Sequence, residues 1–278
     1  MADTVRLLSS ERPSPAVPKL EVRELVVARR NASGDLVTAT DQLTFEVAAG
    51  EFVCLLGPSG CGKTSILNVL AGLDRQTGGE ALLDGVPIQG PGPDRAVLFQ
   101  EPALFPWLSV RANVEFALKL LGMDAEARRK EATRWLANVH LDHAAHAQPH
   151  ELSAGMRQRA ALARALAADP DVLLGDEPFG ALDAQARELL QNEVQRVWMQ
   201  SEGAKTFLFV THNVREAVVL ADRVFVMSAA PGRLLEEFRI HAARPRDLDD
   251  VLVARVVSEI HRLLMREVDK GVAHEMGD

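Results

Sequence analysis

Several hallmarks of other protein classes are missing from this sequence of 278 residues. No apolar run approaches the roughly 20 residues of a membrane-spanning helix, so we expect none. The two cysteines, Cys54 and Cys61, are too few for a disulfide framework, which favours a reducing cytoplasm. The formal net charge is -8, whereas nucleic-acid-binding surfaces are basic, so we expect no nucleic-acid partner. Residues 1–18 lack a signal-peptide pattern and contain three prolines, which predicts a flexible leader.

What the sequence does contain is a regular alternation of strand-like and helix-like segments. The pattern predicts strands at residues 20–27, 43–47, 51–56, 172–175, 206–211 and 223–227, and helices at residues 64–71, 184–200 and 214–220. Such alternation indicates an α/β protein with a mostly parallel sheet. A mostly helical segment at about residues 101–160 interrupts it, and we predict a separate lobe there. An apolar stripe between Leu248 and Leu264 predicts an amphipathic C-terminal helix.

One glycine-rich motif, G-x-x-x-x-G-K-[ST], lies between an apolar strand and a helix, the context in which it binds phosphate. Its residues are Gly57, Pro58, Ser59, Gly60, Cys61, Gly62, Lys63 and Thr64. Glycines allow backbone N–H groups to surround phosphate oxygens, and the helix N-terminus adds a positive dipole end. We expect Lys63 to reach the β- and γ-phosphates and the hydroxyl of Thr64, or of Ser65, to bind Mg²⁺. We also expect the Cys61 side chain to lie inside this loop, where an alkyl adduct would block phosphate.

Two adjacent carboxylates, Asp176 and Glu177, end the predicted strand at residues 172–175. Strand ends line the ligand crevice of an open α/β sheet, so these side chains can face the phosphates. We expect Asp176 to hold Mg²⁺ and Glu177 to polarise the attacking water. His212, at the end of another predicted strand, is a candidate for contacting the γ-phosphate. Alone, such carboxylates or such a histidine are more often structural, and the phosphate loop upstream favours the catalytic interpretation.

A second candidate anion site begins at Ser153, a favourable N-cap residue before an Ala/Leu-rich helix. The simpler alternative is a capped helix without a ligand. Taken together with the phosphate loop, however, this segment resembles a known family, the ATP-binding cassette (ABC) ATPases, over about residues 20–240. The motifs that carry the resemblance include Gln100 in a Q-loop-like stretch, the signature-like segment Leu152 to Met156, the D-loop-like residues Ala181 to Asp183, and His212.

The resemblance implies a P-loop NTPase fold of the ABC type, with a RecA-like core, an antiparallel β subdomain and an inserted helical subdomain. The ATPase domain would cover residues 19–242, and residues 243–278 would form a C-terminal amphipathic helical extension. It also implies that two subunits pack head to tail with ATP and Mg²⁺ at their seam. Ser153 and Gly155 of one subunit would then contact the γ-phosphate held by the other. Gln100 would touch Mg²⁺ and the water, and Asp183 would belong to the nucleotide site.

The sequence departs from the family pattern at two informative places. Ala154 replaces a glycine that is usual in the signature, which keeps the backbone N–H but adds a methyl group. The chain also contains no tyrosine, and where the family places an aromatic on adenine it has Arg29 and Arg30. We therefore hypothesise that an arginine side chain stacks on the base.

Among these ATPases, the sequence is most similar to import subunits of the nitrate/sulfonate/taurine type. The matching stretches lie at residues 90–95, 105–110, 176–183 and 244–248. This implies membrane permease partners, a second ATPase subunit, an external solute-binding protein, and a peripheral position at the cytoplasmic face of a bacterial cell membrane. For the second ATPase subunit, an identical copy is preferred and a different chain stays open. The apolar residues 105–108 then either dock the permease or belong to the core of the lobe.

Two alternatives belong to other classes. A non-transport ABC ATPase is disfavoured because 88 residues separate Thr64 from Ser153, too few for the coiled-coil arm of repair enzymes. A small-molecule kinase would leave the signature segment and His212 without a role.

Overall fold

The structure, a computed structural model, describes residues 17–30 and 34–275, with side chains as far as residue 267. The leader predicted at residues 1–18 lies outside the described residues except for its last two positions. Ten strands occur in the described part of the chain: β1 (Leu20–Arg30), β2 (Leu36–Val47), β3 (Phe52–Leu56), β4 (Gly78–Leu83), β5 (Val86–Pro87), β6 (Arg95–Leu98), β7 (Val172–Asp176), β8 (Thr206–Thr211), β9 (Arg223–Met227) and β10 (Leu234–Arg239).

The strands form two sheets. The larger sheet has the order β10-β9-β3-β8-β7-β6 and is parallel except for β10, which runs antiparallel to β9. The smaller sheet has the order β2-β1-β4-β5 and is antiparallel. Strands β3, β8 and β9 are buried along their whole length, which explains their almost purely apolar sequences. Because these strands are parallel, the carboxyl ends of β3, β7 and β8 lie along one edge of the sheet, perpendicular to the strands.

Seven α-helices accompany these sheets in the described residues: α1 (Lys63–Leu70), α2 (Val110–Leu120), α3 (Ala125–Asn138), α4 (Ala154–Ala167), α5 (Ala184–Gln200), α6 (Val214–Leu220) and α7 (Val251–Glu275). Helices α2, α3 and α4 contact one another and follow β6, so they form the helical lobe. Each begins at a side-chain cap: Ser109 before α2, Asp124 before α3 and Ser153 before α4.

Alternate residues of β3 belong to two different apolar clusters. Cys54 and Leu56 pack in the cluster that includes the helical lobe and α7. Val53 and Leu55 pack in the cluster between the central sheet, α1 and the antiparallel sheet. The central sheet is therefore covered on both faces, as period-two side-chain alternation requires. No helix in the described part of the chain is long and apolar enough to cross a bilayer.

The predicted secondary structure is confirmed for all nine strands and helices placed before the C-terminal segment. The predicted tail helix corresponds to α7, whose Val253, Ile260 and Leu264 are buried in the core. The sequence did not predict β4, β5, β6 or β10, and β2 begins seven residues earlier than the predicted strand at residue 43.

Candidate active site

The phosphate loop connects the end of β3 to the start of α1, and two of its glycines have a backbone conformation that favours glycine. Gly60 and Gly62 have φ of 80° and 92°, the left-handed region that favours glycine. A Cβ on Gly62 would lie 2.5 Å from Cγ2 of Thr40. Gly62 also stands at the N-cap of α1, where no side chain caps the helix. No N-cap side chain therefore competes with an anion for the first N–H groups of α1.

Lys63 supplies a positive charge at this loop. Its side chain is largely buried, with 6% of the residue exposed. Its Nζ donates hydrogen bonds of 2.8 Å to the carbonyl oxygens of Gly57 and Pro58. The loop thus folds around its own ammonium group, which matches a site for a polyphosphate anion.

Thr64 and Asp176 meet across the edge of the sheet, although they lie far apart in sequence. The hydroxyl of Thr64 donates a 3.0 Å hydrogen bond to Oδ1 of Asp176, at the end of β7. Burial raises the pKa of the Asp176 carboxyl, the neighbouring Glu177 charge raises it further, and Thr64 and Lys63 oppose the shift. A carboxylate beside a hydroxyl is an oxygen donor pair of the kind that binds Mg²⁺. Within the described residues, no group of three or more His, Cys, Asp or Glu side chains is arranged to hold a metal ion.

Glu177 and His212 come together from the ends of adjacent strands. Nδ1 of His212 lies 2.9 Å from Oε2 of Glu177. Glu177 has a φ of 42°, which is uncommon for a non-glycine residue, and its N–H donates to Val210 O at 2.9 Å. Backbone strain of this kind is typical of functional sites. The two side chains therefore form an acid–imidazole pair at the sheet edge that also carries the phosphate loop.

Gln100 follows β6 and lies at the boundary between the sheet and the helical lobe. A Cβ on Gly180 would lie 3.7 Å from Oε2 of Glu177 and 3.8 Å from Nε2 of Gln100, so both side chains approach the same glycine. Gln158 of α4 donates a 3.1 Å hydrogen bond to the carbonyl of Phe99, just before Gln100. This segment therefore links the lobe to the carboxylates. Beside it lies a cleft of about 300 Å³, lined by Gln100, Glu101, Pro102, Ala154, Arg157, Gln158, Pro178, Ala181 and Leu182.

Ser153, Gly155 and Asp183 lie at the starts of α4 and α5, which approach each other. Ser153 is exposed, and its hydroxyl accepts from Met156 N at 3.2 Å. Asp183 caps α5 by accepting from Ala186 N at 2.8 Å, and a Cβ on Gly155 would lie 3.1 Å from the Ala186 side chain. Within the described residues, Ser153 makes no hydrogen bond to the phosphate loop.

Ser65 and the two arginines of the adenine-stacking hypothesis can also be placed. Ser65 is buried in α1. Arg29 pairs with Asp74 at 2.6 Å, and Arg30 donates to the carbonyl of Gly34 at 2.8 Å. Arg29 would have to leave Asp74 or stack while paired with it. The stacking hypothesis stays a prediction.

Cys61 corrects one expectation. Its residue surface is 0% exposed, and it packs in the apolar cluster beneath the loop rather than inside the phosphate cradle. A Cβ on Gly57 would lie only 2.8 Å from the Cys61 Sγ, which itself is 3.9 Å from Nζ of Lys63. Only the backbone of Cys61 can therefore face a phosphate.

Alkylation of Cys61 in the native chain is therefore expected to be slow. Burial raises the pKa of its thiol, and Lys63 only partly opposes the shift, so the thiolate is scarcer than for a free thiol at pH 8. Labelling by iodoacetamide, followed by mass spectrometry, should be complete only after denaturation and should accelerate as pH rises. Cys54 is the internal control, since it is fully buried with a pKa raised well above the usual range. Rapid native labelling that ATP prevents would contradict this placement.

The sequence did not single out Glu216, which lies behind His212 in the first turn of α6. Burial raises the pKa of Glu216 to about 7, opposed by a hydrogen bond with Thr211. Gln191 donates to its Oε2 at 3.4 Å. The signal that could have identified Glu216 was an acidic residue between two apolar positions, Val214 and Ala217, that are buried in α6. The structure thus adds a second, protonatable carboxyl near the histidine.

The fold and the site together define a class: an ATPase with a phosphate loop, a strand-end carboxylate pair and a signature helix on an inserted lobe. The model of the family described as ABC transporter matches residues 40–180. The chain therefore belongs to the ABC transporter family, and it is an ATP-binding, ATP-hydrolysing subunit of the P-loop ABC type.

Relatives support the same assignment. An uncharacterized ABC transporter ATP-binding protein of Methanocaldococcus jannaschii is 46% identical over 86% of this chain and 89% of its own length. A taurine import ATP-binding protein of Mesorhizobium japonicum is 49% identical over 74% of this chain and 79% of its own. A nitrate import ATP-binding protein of a Synechocystis strain is 45% identical over 74% and 76%.

A solved structure also resembles this chain. The dimeric, post-hydrolysis state of the ATP-binding cassette MJ0796, bound to ADP and Pi, superposes with a TM-score of 0.71. It is 29% identical in sequence and covers 81% of this chain and 100% of that one. The expected ABC-type α/β fold is therefore confirmed.

Proposed function

We propose that this chain hydrolyses ATP to drive the import of a small anion such as nitrate, a sulfonate or taurine through partner permease subunits. The observation that carries the catalytic part is the meeting of Thr64, Asp176, Glu177 and His212 at one sheet edge. The relatives named for taurine and nitrate import support the transport part. We place the subunit peripherally at the cytoplasmic face of a bacterial cell membrane, with a solute-binding protein as its indirect partner.

In this proposal, the phosphate loop from Gly57 to Thr64 binds the triphosphate, with Lys63 on the β- and γ-phosphates. Thr64, Asp176 and Gln100 hold Mg²⁺, which when bound neutralises charge on the phosphate oxygens. Glu177 accepts a proton from the attacking water, which it orients within hydrogen-bond reach. His212 contacts the γ-phosphate and holds the Glu177 carboxylate through its Nδ1.

Two copies of the chain pack head to tail in the active state. Ser153 and Gly155 of one copy face the γ-phosphate bound by the other, with Asp183 beside the seam. The exposed position of Ser153 at the N-cap of α4 supports this arrangement. Residues 19–242 form the ATPase domain, residues of about 101–160 its helical subdomain, and residues 243–278 a C-terminal extension.

The permease contact is the docking patch, defined as Phe105, Pro106, Trp107 and Leu108. Trp107 is 72% exposed, so it does not belong to the core of the lobe. It lies 5.5 Å from the Phe105 ring, and Phe105 packs on Phe116 at 4.8 Å, which gives the patch a rigid base. An exposed tryptophan on such a base is typical of an interface anchor.

Replacing Trp107 by alanine should therefore prevent the subunit from energising transport. We expect loss of permease co-purification and loss of solute-stimulated ATP hydrolysis after reconstitution into vesicles, because truncation of a central interface anchor costs about 2 kcal/mol or more. Val86→Ala is the matched control, since Val86 is 66% exposed on the antiparallel sheet. Normal transport by a folded Trp107→Ala variant would reject the patch as the docking site.

A further inference from the structure

The stretch Arg244-Pro245-Arg246 has no role in the nucleotide chemistry described above, yet its arginines converge on one helix. Both guanidinium groups lie at the carboxyl end of α6. The last four carbonyls of an α-helix have no partner within the helix, so something else must satisfy them. Here that partner comes from the first residues of the C-terminal extension.

Arg246 and Arg244 divide these carbonyl groups between them. Arg246 donates through Nη1 to Val218 O at 2.8 Å and to the carbonyl of Ala221. Arg244 donates through Nη2 to Leu220 O at 2.6 Å. We call these two side chains the arginine clamp. It places two guanidinium groups at the negative end of the helix dipole, where cations are stabilising, and Asp222, which accepts from Arg244 Nη1, balances one of the two charges.

Arg246 is the more deeply committed member of the clamp. Its residue surface is 8% exposed, and it also donates to Ile240 O and Ala242 O at 3.0 Å each. Every hydrogen bond found for it in the described residues ends on a backbone carbonyl. Burial lowers the pKa of Arg246 to about 10, so the group remains protonated at neutral pH. A buried cation that serves only carbonyls has one structural consequence, which is to fix the backbone it contacts.

The other end of α6 lies at the catalytic histidine. Asn213 is the N-cap and accepts from the N–H groups of Arg215 and Glu216, so His212 stands directly before the helix. Thr211 accepts from Asn213 N at 3.0 Å and closes the junction to β8. A helix of seven residues extends over roughly 10 Å at 1.5 Å per residue. Because α6 is short and hydrogen-bonded at both ends, we expect a displacement of its carboxyl end to displace His212 as well.

We propose that Arg246, with Arg244, is a positioning residue for ATP hydrolysis that sets the place of His212 relative to Glu177 by fixing the carboxyl end of α6. The proposal rests on the proposed role of His212. It assigns the Arg-Pro-Arg stretch a function in the reaction cycle. It also makes the start of the C-terminal extension part of the catalytic architecture, because the same stretch leads into α7.

Replacing Arg246 by methionine should lower kcat about tenfold while leaving the KM for ATP within about twofold, because misplacing a catalytic group by about 1 Å can cost about 100-fold. Arg223→Met is the matched control. Arg223 is 7% exposed and lies at the amino end of β9, opposite the catalytic edge, where it pairs with Glu51 and Glu237. We expect that control to be destabilised with an unchanged kcat per folded chain. An equal loss of kcat in both variants would overturn the proposal.

A second measurement reads the position of His212 without hydrolysis. In the full-length chain labelled at histidine, the His212 resonance, assigned with His212→Gln, should shift in Arg246→Met and stay in place in Arg223→Met. Where Arg246→Met does not fold, Arg246→Lys is measured instead. It should still shift the resonance, since one ammonium group cannot reach all the carbonyls. An unmoved resonance with normal kcat in the folded variant overturns the inference. A wild-type chain that fails to hydrolyse ATP would refute the proposed function, while the resonance would still test the clamp.

Discussion

Replacing Glu177 by glutamine is expected to stop ATP turnover and leave ATP bound. An amide has nearly the shape of a carboxylate but cannot accept the proton of the attacking water, and general-base catalysis contributes about 100- to 10,000-fold. Binding should persist because the phosphate loop and Lys63 are untouched. Phosphate release should therefore fall by at least about 100-fold, while equilibrium binding of ATP stays near the wild-type value. In ATP, the variant should elute as a dimer.

Glu188→Gln provides the matched control, since Glu188 is exposed on α5 and has no proposed role in catalysis. It makes the same chemical change and should hydrolyse ATP like the wild type. The result depends on the observed pairing of Glu177 with His212 at 2.9 Å, which holds the carboxylate at the phosphate edge. Hydrolysis by Glu177→Gln within about tenfold of the wild type would exclude Glu177 as the general base, since that role supplies at least about 100-fold.

The central strands could be predicted because burial on both faces demands an apolar run. β3, β8 and β9 are such strands. Strands β6 and β10 could not be predicted because they are the two outermost strands of the central sheet. β10 is largely exposed, with two glutamates in six residues, and β6 has only four residues. Edge strands carry a weaker apolar signal and are often charged, so local patterns do not reveal them.

The nucleotide residues could be predicted because phosphate chemistry constrains residue type and spacing. The direction of the Cys61 side chain could not, because it depends on the left-handed backbone of Gly60 and Gly62 on either side. The arginine clamp could not be predicted either, since it joins Arg246 to carbonyl groups about 25 residues earlier in the chain. Backbone carbonyls carry no signature in the sequence. Side-chain motifs are thus readable from sequence, and side-chain-to-backbone contacts across the fold are not.

Substitutions on the two sides of the contact between copies should have different effects: one should prevent ATP binding, and the other should prevent only the ATP-dependent dimer. Lys63→Met removes the buried ammonium of the phosphate loop, so it should abolish ATP binding and hence any ATP-dependent dimer. Ser153→Glu should behave differently. In the proposed arrangement the exposed Ser153 contacts only the nucleotide of the facing copy, so monomers should bind ATP normally. The added carboxylate should repel the γ-phosphate of a facing copy and prevent dimerisation.

The test uses the Glu177→Gln background, in which the ATP-bound dimer should accumulate. Ser109→Glu is the control, because Ser109 caps α2 with the same 3.2 Å geometry that Ser153 uses to cap α4. Both substitutions remove an N-cap serine, at a cost of about 1 kcal/mol, so a loss of dimer through destabilisation would appear in both. Ser153→Glu alone should lack the ATP dimer in sedimentation velocity while keeping the wild-type affinity for ATP. If Ser153→Glu instead weakened ATP binding by the monomer as strongly as Lys63→Met, Ser153 would act on the nucleotide of its own chain, and the head-to-tail arrangement would be wrong.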